Sequence, residues 1–404
     1  MNLHQAYRKE IPFTNEQKLS TVNRCERPYK HVEFSQLIQL FSKTHDSKGV
    51  TMDTLLFPIY TEGSATARMI CDSVFKRSRL CSFEVEFPRP YLAEFNTHTR
   101  FSRNSASSRA IPVWKRLIAI LSRPYIPNSF GTNKAGMQAG ETLSGSDQEK
   151  AIMNWLVGRD IAVVQAFFLA GGHKDILAAT EKAGRLAEGQ ALCVQVDELV
   201  KKYGLASFLY RQDQGMHKQH ANRVLETYAF HTVLVTSSYL RNFYGLRAST
   251  KAQPEAQDFG IAMAKAMMTS TPIELEPGQW HMPYIRDEDK KEEPEQMILA
   301  RASSGKSART SYLTHDGIRA LVKDLELADD LASSGHMSPF QHPARPREKD
   351  DPVGSHGNYA RVWTQLRKLM PSEDDFTKLI SREELVAGCR GDEVLADFIL
   401  SLEE

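Results

Sequence analysis

Apolar and polar side chains alternate most cleanly in Leu80-Cys-Ser-Phe-Glu-Val-Glu-Phe87, where a period of two predicts a half-buried strand. Pro88-Arg-Pro90 closes it with a stiff turn, and a short helix or loop carrying a polar run is expected next. Just upstream, Ala67, Ile70, Val74 and Phe75 stand at helical intervals, which predicts a helix over residues 65–76. Residues 125–145 are rich in Pro, Gly, Asn and Ser and predict a loop. A helix-rich region is expected from 148 to about 170 and again over 175–203. In it Leu177, Ala178, Leu186, Ala187, Ala191, Val194 and Leu199 suit one buried face. Val224, Leu225, Tyr228, Val235, Tyr239 and Phe243 predict a long buried helix over 217–246. Residues 277–294 are broken by Pro and charge. A strand is then expected at 310–313, a helix at 317–333 ending at Gly335, and a loop at 345–357.

These elements predict an α+β protein, with helices packed around a modest mixed or antiparallel sheet. Residues 1–60, polar apart from an amphipathic stretch at 32–41, are expected to form an arm or peripheral layer. Residues 61–275 would be the core, with a helical insertion at about 110–215, and residues 295–404 would complete it.

Charge narrows the partners. A net charge of +1, with 25% charged residues, gives neither a polybasic nucleic-acid surface nor an acidic tail, so any ligand is held by local charge. Five cysteines (Cys25, Cys71, Cys81, Cys193 and Cys389), an odd number without a CxxC, argue against a disulfide framework and for a cytoplasmic setting. No signal-like leader is evident, and no window is apolar for long enough to span a bilayer, so no membrane partner is expected.

The chemistry concentrates in Thr97-His-Thr-Arg-Phe-Ser-Arg-Asn-Ser-Ala-Ser-Ser-Arg109, with three arginines, one histidine and six hydroxyls around a single large apolar side chain, Phe101. Forked guanidiniums and hydroxyls suit a many-acceptor anion such as a phosphate ester or nucleotide.

This run resembles the signature of the flavin-dependent thymidylate synthases, Arg-His-Arg followed by a spaced Ser, Asn-Glu, Ser and Arg. Thr97, His98 and Thr99 occupy the Arg-His-Arg positions, and Ser102, Asn104, Ser107 and Arg109 match the later ones. Ser105 stands where the family has Glu, and Arg100 is a displaced guanidinium. Asn242-Phe-Tyr-Gly-Leu-Arg247 with Ala252-Gln-Pro-Glu255 is similar to the second family segment. Ala221-Asn-Arg-Val-Leu225 is similar to an Ala-Arg-x-x-Leu-Pro segment. Gly335-His-Met-Ser-Pro-Phe-Gln-His342, preceded by Ala308-Arg-Thr-Ser-Tyr312, resembles a block that opens the family's chain and here closes it, the order of a circular permutation. About half the chain is covered.

The resemblance implies a flavin-dependent thymidylate synthase-like fold and one-carbon transfer to carbon 5 of a pyrimidine deoxynucleotide, dUMP to dTMP. FAD would be the cofactor, with methylenetetrahydrofolate and NADPH as co-substrates. It further implies a homotetramer whose sites combine subunits. Arg247 would stabilise the charge that develops on the pyrimidine. Ser107 and Arg109 would hold the nucleotide phosphate, with Glu94, Ser105 and Arg223 as further substrate contacts. Thr97, His98, Thr99, Arg100, Thr236, Asn242, His336 and Ser338 map to flavin contacts, and no metal is implied. Glu94 replaces a family Gln, an acceptor-only carboxylate for an amide. The departures leave two alternatives: a divergent flavoenzyme that methylates or hydroxymethylates another pyrimidine nucleotide, and a non-catalytic flavin- or nucleotide-binding homologue.

Other patterns have plainer readings. Arg247 can equally cap carbonyls at a helix end. His336 and His342 can be hydrogen-bonded surface histidines beside a turn, and Gln253 and Glu255 a solvated helix start. Ala300-Arg-Ala-Ser-Ser-Gly-Lys-Ser307 imitates a phosphate loop but lacks its first Gly, and His217 with His220 lacks the carboxylate of a zinc site.

Overall fold

The computed structural model of the chain describes residues 59–402, apart from 137, 208, 210–213, 313–319, 352–358, 360–361, 371–372 and 374. The expected N-terminal arm, with its amphipathic stretch at 32–41, lies outside the described residues except for positions 59 and 60.

Strands β1 (Ile59–Glu62), β2 (Ala65–Phe75), β3 (Ser78–Pro88), β4 (Ser102–Ser105) and β5 (Phe230–Ser237) form an antiparallel sheet in the order β1-β2-β3-β5-β4. A two-residue β6 (Ile273–Glu274) adds a parallel neighbour to the end of β2. The protein is thus α+β around an antiparallel sheet, as the sequence pattern predicts.

Strand β2 occupies the segment predicted to be helical. A bulge between Met69 and Cys71 inserts one residue into its pairing with β3. Ala65, Ala67 and Met69 face one side, and beyond the bulge Ser73 turns to the other. The inserted residue breaks the period of two, so Ala67, Ile70 and Val74 fall three and four apart and imitate a helix.

The chain leaves β3 through a 3-10 turn at Arg89–Tyr91 into α1 (Leu92–Asn96), which leads to β4. After β4 come α2 (Val113–Ser122), α3 (Gly145–Leu169), α4 (Gly172–Lys182) and α5 (Leu186–Tyr203), which share their own apolar cluster. The expected loop over 125–145 carries only an isolated bridge between Gly131 and Thr142. The helix-rich region expected over 175–203 holds two helices, α4 and α5, separated at Gly184, which has φ 69°. That break resets the helical phase: Ile176, Thr180, Leu192, Cys193 and Val196 are buried, whereas Ala178, Leu186, Ala187, Ala191 and Val194 are exposed. Contrary to expectation, one helix, α3, is long and apolar enough to cross a membrane; it is the only such helix among the described residues. Asp160 lies buried within it, bonded to Arg159 Nε at 2.6 Å and Tyr203 OH at 2.8 Å.

The long helix expected over 217–246 is also replaced. It becomes α6 (Lys218–Ala221), a 3-10 segment Asn222–Tyr228, strand β5 and α7 (Arg241–Arg247). β5 runs between β3 and β4 and is covered on both faces, so it reads as a continuous apolar and β-branched run without alternation. One face of the sheet packs Phe83, Val85, Phe87, Val233 and Val235 against Phe95, Phe101 and Phe243, and against Phe259 of α8 (Pro254–Thr269). On the other face Leu80 meets Ala344, Tyr359 and Trp363 from the end of the chain.

The final third contains α9 (Asp287–Glu292), inside the stretch expected to be irregular, and α10 (Gln296–Ala308). The expected strand at 310–313 is a 3-10 turn, Arg309–Tyr312, with residue 313 outside the described set. Helix α11 is described from Leu321 to Ser333, the expected start at 317 again lying outside. β7 (Ala344–Pro346) overlaps the first two residues of the loop expected at 345–357 and pairs with β8 (Trp363–Gln365) beyond it; residues 347–351 are irregular, as expected, and 352–357 lie outside the described set. The phosphate-loop look-alike is interior helix. A Cβ on Gly305 would lie 2.0 Å from the Asp324 carbonyl oxygen of α11, and Lys306 pairs with Asp289 and Asp324.

Candidate functional site

Buried between the sheet and the C-terminal segment, five side chains form a hydrogen-bonded row. His281 Nδ1 lies 2.9 Å from Ser73 Oγ and its Nε2 2.8 Å from Ser82 Oγ. Ser82 Oγ is 2.5 Å from Thr236 Oγ1, which is 2.8 Å from His342 Nδ1. The β2 bulge, by turning Ser73 to this face, makes the first contact available. Burial pushes His281 and His342 down to about 3, so both imidazoles are neutral, and His342 Nε2 is buried without a partner. Thr236, mapped by resemblance to the flavin, is fully buried and its hydroxyl is engaged on both sides within this row.

The polar run at 97–109 divides by the alternation of β4. Ser102 and Asn104 are buried on the face covered by the chain's end: Ser102 Oγ accepts from Tyr359 OH at 3.0 Å and Gln365 Nε2 at 2.9 Å, and Asn104 Nδ2 donates to the Ser307 carbonyl at 3.4 Å. Arg103 instead donates from Nη1 to the Asn96 carbonyl (2.9 Å) and Oδ1 (3.1 Å). Ser105 is half-buried, and Thr99, Arg100 and Arg109 are exposed. Arg100 lies over the Tyr239 ring at 5.2 Å.

Two of the sequence blocks meet at the end of α7. Arg247 Nη2 donates to the Glu94 carbonyl at 3.0 Å and to Thr97 Oγ1 at 2.7 Å, joining α7 to α1 across 150 residues of chain. Arg247 Nε and Glu94 Oε2 are both buried without a partner. Gly260 lets α8 approach closely here, since a Cβ on it would lie 3.0 Å from Arg247 Cβ and 3.2 Å from the Arg247 carbonyl carbon. His98, half-buried, packs edgewise on Phe243 at 4.9 Å. Its burial, with Arg247 and Arg103 nearby, lowers its pKa and keeps it neutral. Asn242 is exposed on the first turn of α7.

A second meeting point surrounds residues 105–111. Asn222 Nδ2 donates to the carbonyls of Ser108 (2.9 Å) and Ile111 (2.8 Å), and Ser108 Oγ to Glu226 Oε1 at 2.6 Å. The Ser107 amide donates to the Ser311 carbonyl at 2.9 Å, so the Ala308-Arg-Thr-Ser-Tyr312 segment reaches the same place. Ser107 Oγ accepts from the Arg109 amide at 3.2 Å, and Arg223 is exposed. His336 and Ser338 are exposed. The His336 imidazole bonds Ser334 Oγ at 3.0 Å, within its own turn, and neither residue bonds the first run within the chain. The imidazole of that block that does reach the sheet is His342.

Four residues absent from the sequence-based site stand here: Arg89, Arg116, Glu226 and His231. Arg89, held between Pro88 and Pro90, donates from Nη1 to His231 Nδ1 at 2.7 Å and from Nη2 to Glu226 Oε1 at 3.3 Å. Arg116 is buried and donates to the Phe230 carbonyl at 3.2 Å. Pro88-Arg-Pro90 is visible in the sequence, but only the pairing of β3 with β5 brings it to Glu226. Gln253 is exposed at the start of α8, but Glu255, expected on a solvated helix start, is instead buried and accepts from Tyr125 OH and the Asn128 amide; His217 Nδ1 accepts from the Gln219 amide. No group of three or more His, Cys, Asp or Glu side chains suited to a metal occurs among the described residues.

No family model and no curated protein matches the sequence.

Proposed function

We propose that this protein transfers a one-carbon unit to carbon 5 of a pyrimidine deoxynucleotide, most simply dUMP to dTMP, using methylenetetrahydrofolate and an FAD reduced by NADPH. One observation carries the reading: at the junction of α1 and α7 the buried atoms Arg247 Nε and Glu94 Oε2 have no hydrogen-bond partner, although the Arg247 guanidinium is anchored there through Nη2. A buried polar atom left unpaired costs about 1–3 kcal/mol, so a donor and an acceptor kept unpaired at one junction are available to a ligand. A guanidinium suits a pyrimidine carbonyl, where it would stabilise the negative charge that accumulates as carbon 5 becomes nucleophilic. The carboxylate accepts a ring or exocyclic N–H. Ser107, Arg109 and Arg223, with Ser105 beside them, supply hydroxyls and cations for the phosphate.

Reduced flavin would supply the hydride. Exposed Thr99, Arg100 and Asn242, with the neutral imidazole of His98 and the Thr97 hydroxyl beside Arg247, offer donors and acceptors on one side of α1 and α7 that fit an isoalloxazine edge or a diphosphate. His336 and Ser338, exposed on their own turn, would serve the site of a second copy in a homo-oligomer, a tetramer by resemblance.

Two observations favour alternatives. Thr236 is sealed inside the fold, which favours a protein that binds nucleotide without flavin turnover. Glu94 accepts only, which favours a base presenting an amino group, and hence methylation or hydroxymethylation of another pyrimidine nucleotide. The test is the flavin spectrum of the purified protein, followed by tritium release from carbon-5-labelled dUMP with methylenetetrahydrofolate. Release from dUMP supports the synthase and release only from another nucleotide the divergent enzyme. A colourless protein that cannot be reconstituted with FAD sinks both.

A further inference from the structure

A cleft of about 420 Å³ opens between α1 and the 222–228 segment, lined by Arg89, Pro90, Leu92, Ala93, Asn96, Glu226 and Thr227. That is within the size of small-ligand sites, about 300–1,000 Å³. None of its lining residues belongs to the set implied by the family resemblance. The geometry points to this cleft as an anion site in which the Arg89 guanidinium takes the phosphate monoester of a nucleotide, with the Glu226 carboxylate holding its place until the ligand arrives.

The charge balance behind the cleft is the first reason. Arg89 and Arg116 share one neighbourhood with His231, and among the described residues Arg89 has a single carboxylate partner, Glu226, while Arg116 has none. His231 does not add to the charge. Its Nδ1 accepts from Arg89, and burial beside Arg89 and Arg116 holds its pKa well below the ordinary value. Burial and repulsion from Arg89 lower even Arg116, to about 10. Two guanidiniums against one carboxylate leave a net positive charge away from bulk water, which an arriving anion offsets.

Accessibility is the second reason. The Arg89 and Glu226 side chains remain 17% and 28% exposed, and their contact, at 3.3 Å, is longer than a strong charge-assisted bond. The ion pair can therefore open without unfolding its surroundings. Arg89 is fixed for the task by proline on either side and by its amide, which donates to the Ala229 carbonyl at 2.8 Å. Ser108 already donates to Glu226, so a phosphate replacing that carboxylate would meet a hydroxyl.

Naming a nucleotide as the ligand rests on the proposed function; the anion site does not. The test is calorimetric titration of the full chain with dUMP, deoxyuridine and inorganic phosphate at low and moderate salt. Wild-type protein is expected to bind dUMP and phosphate, more weakly as salt rises, and to prefer dUMP over deoxyuridine. Arg89→Gln should weaken dUMP and phosphate binding by about tenfold or more, the loss of a charged hydrogen bond. Glu226→Gln should tighten both, since it removes the internal competitor. A merely structural ion pair predicts the opposite sign, so this variant decides the matter even if Arg89→Gln fails to fold. Unchanged or weaker binding in folded Glu226→Gln, or no binding of phosphate or dUMP by the wild type, overturns the proposal. Phosphate binding that follows these variants, in a protein that releases no tritium from any nucleotide, keeps the anion site and refutes the one-carbon chemistry.

Discussion

The two buried imidazoles make acid stability the most quantitative expectation. His281 and His342 are held neutral, at about 3 instead of 6.5, chiefly by burial; His342 feels His281 as a second, repulsive influence, and Asp72 near His281 works the other way. A histidine whose pKa is depressed by folding binds a proton more readily when unfolded. Its stabilising contribution is therefore complete above about pH 6.5 and drains away as pH falls toward about 3. Each such group contributes about 1.4 kcal/mol per pH unit in that window. At pH 4.5 the pair would remove about 5 kcal/mol, comparable with the whole stability of many domains. His342→Gln keeps an amide able to bond Thr236 Oγ1 but cannot titrate. Urea unfolding followed by tryptophan fluorescence between pH 4.5 and 7.5 should show the wild type losing about 2.7 kcal/mol per pH unit from this pair and the variant about half that. His231, also depressed, steepens both curves equally. Equal slopes in the two proteins would mean that His342 is not protected from protonation, and the account of the buried row would be wrong.

Three further outcomes follow from the junction of α1, α7 and α8. Arg247→Ala should cut turnover by about 10²–10³ while leaving bound flavin in place, read from kcat and the flavin absorbance; normal turnover would remove Arg247 from its assigned role. Gly260→Ala should push α7 away from α8, lowering stability by about 1–3 kcal/mol in urea melts and reducing turnover with it. An unaffected variant would show that the close approach does not position Arg247. On the proposed function, Glu94→Gln introduces an amide that can donate as well as accept, and should raise tritium release from dUMP relative to a cytosine nucleotide; no change in that ratio would show that Glu94 does not read the base.

The sequence by itself determined what is local. The strand at 80–87, the Pro-Arg-Pro turn, the helix over 145–169 and the polar run at 97–109 all announce themselves through period, turn chemistry or composition within a dozen or so residues. The 65–76 and 217–246 segments imitate helices for one physical reason: a bulge in the pairing of β2 with β3 and the burial of β5 on both faces each erase the alternation that marks a strand, and both are made only by tertiary neighbours. Tertiary structure alone decided which polar residues are available. It turned Ser102 and Thr236 inward, where Tyr359 and His342 bond them, and Asn104 inward with its Nδ2 on the Ser307 carbonyl, and it left Arg247 Nε and Glu94 Oε2 unsatisfied. Arg89 and Glu226, 137 positions apart, carry no mutual signal along the chain. Hydrogen-bond satisfaction and charge balance are properties of neighbourhoods, and neighbourhoods are made when the sheet closes.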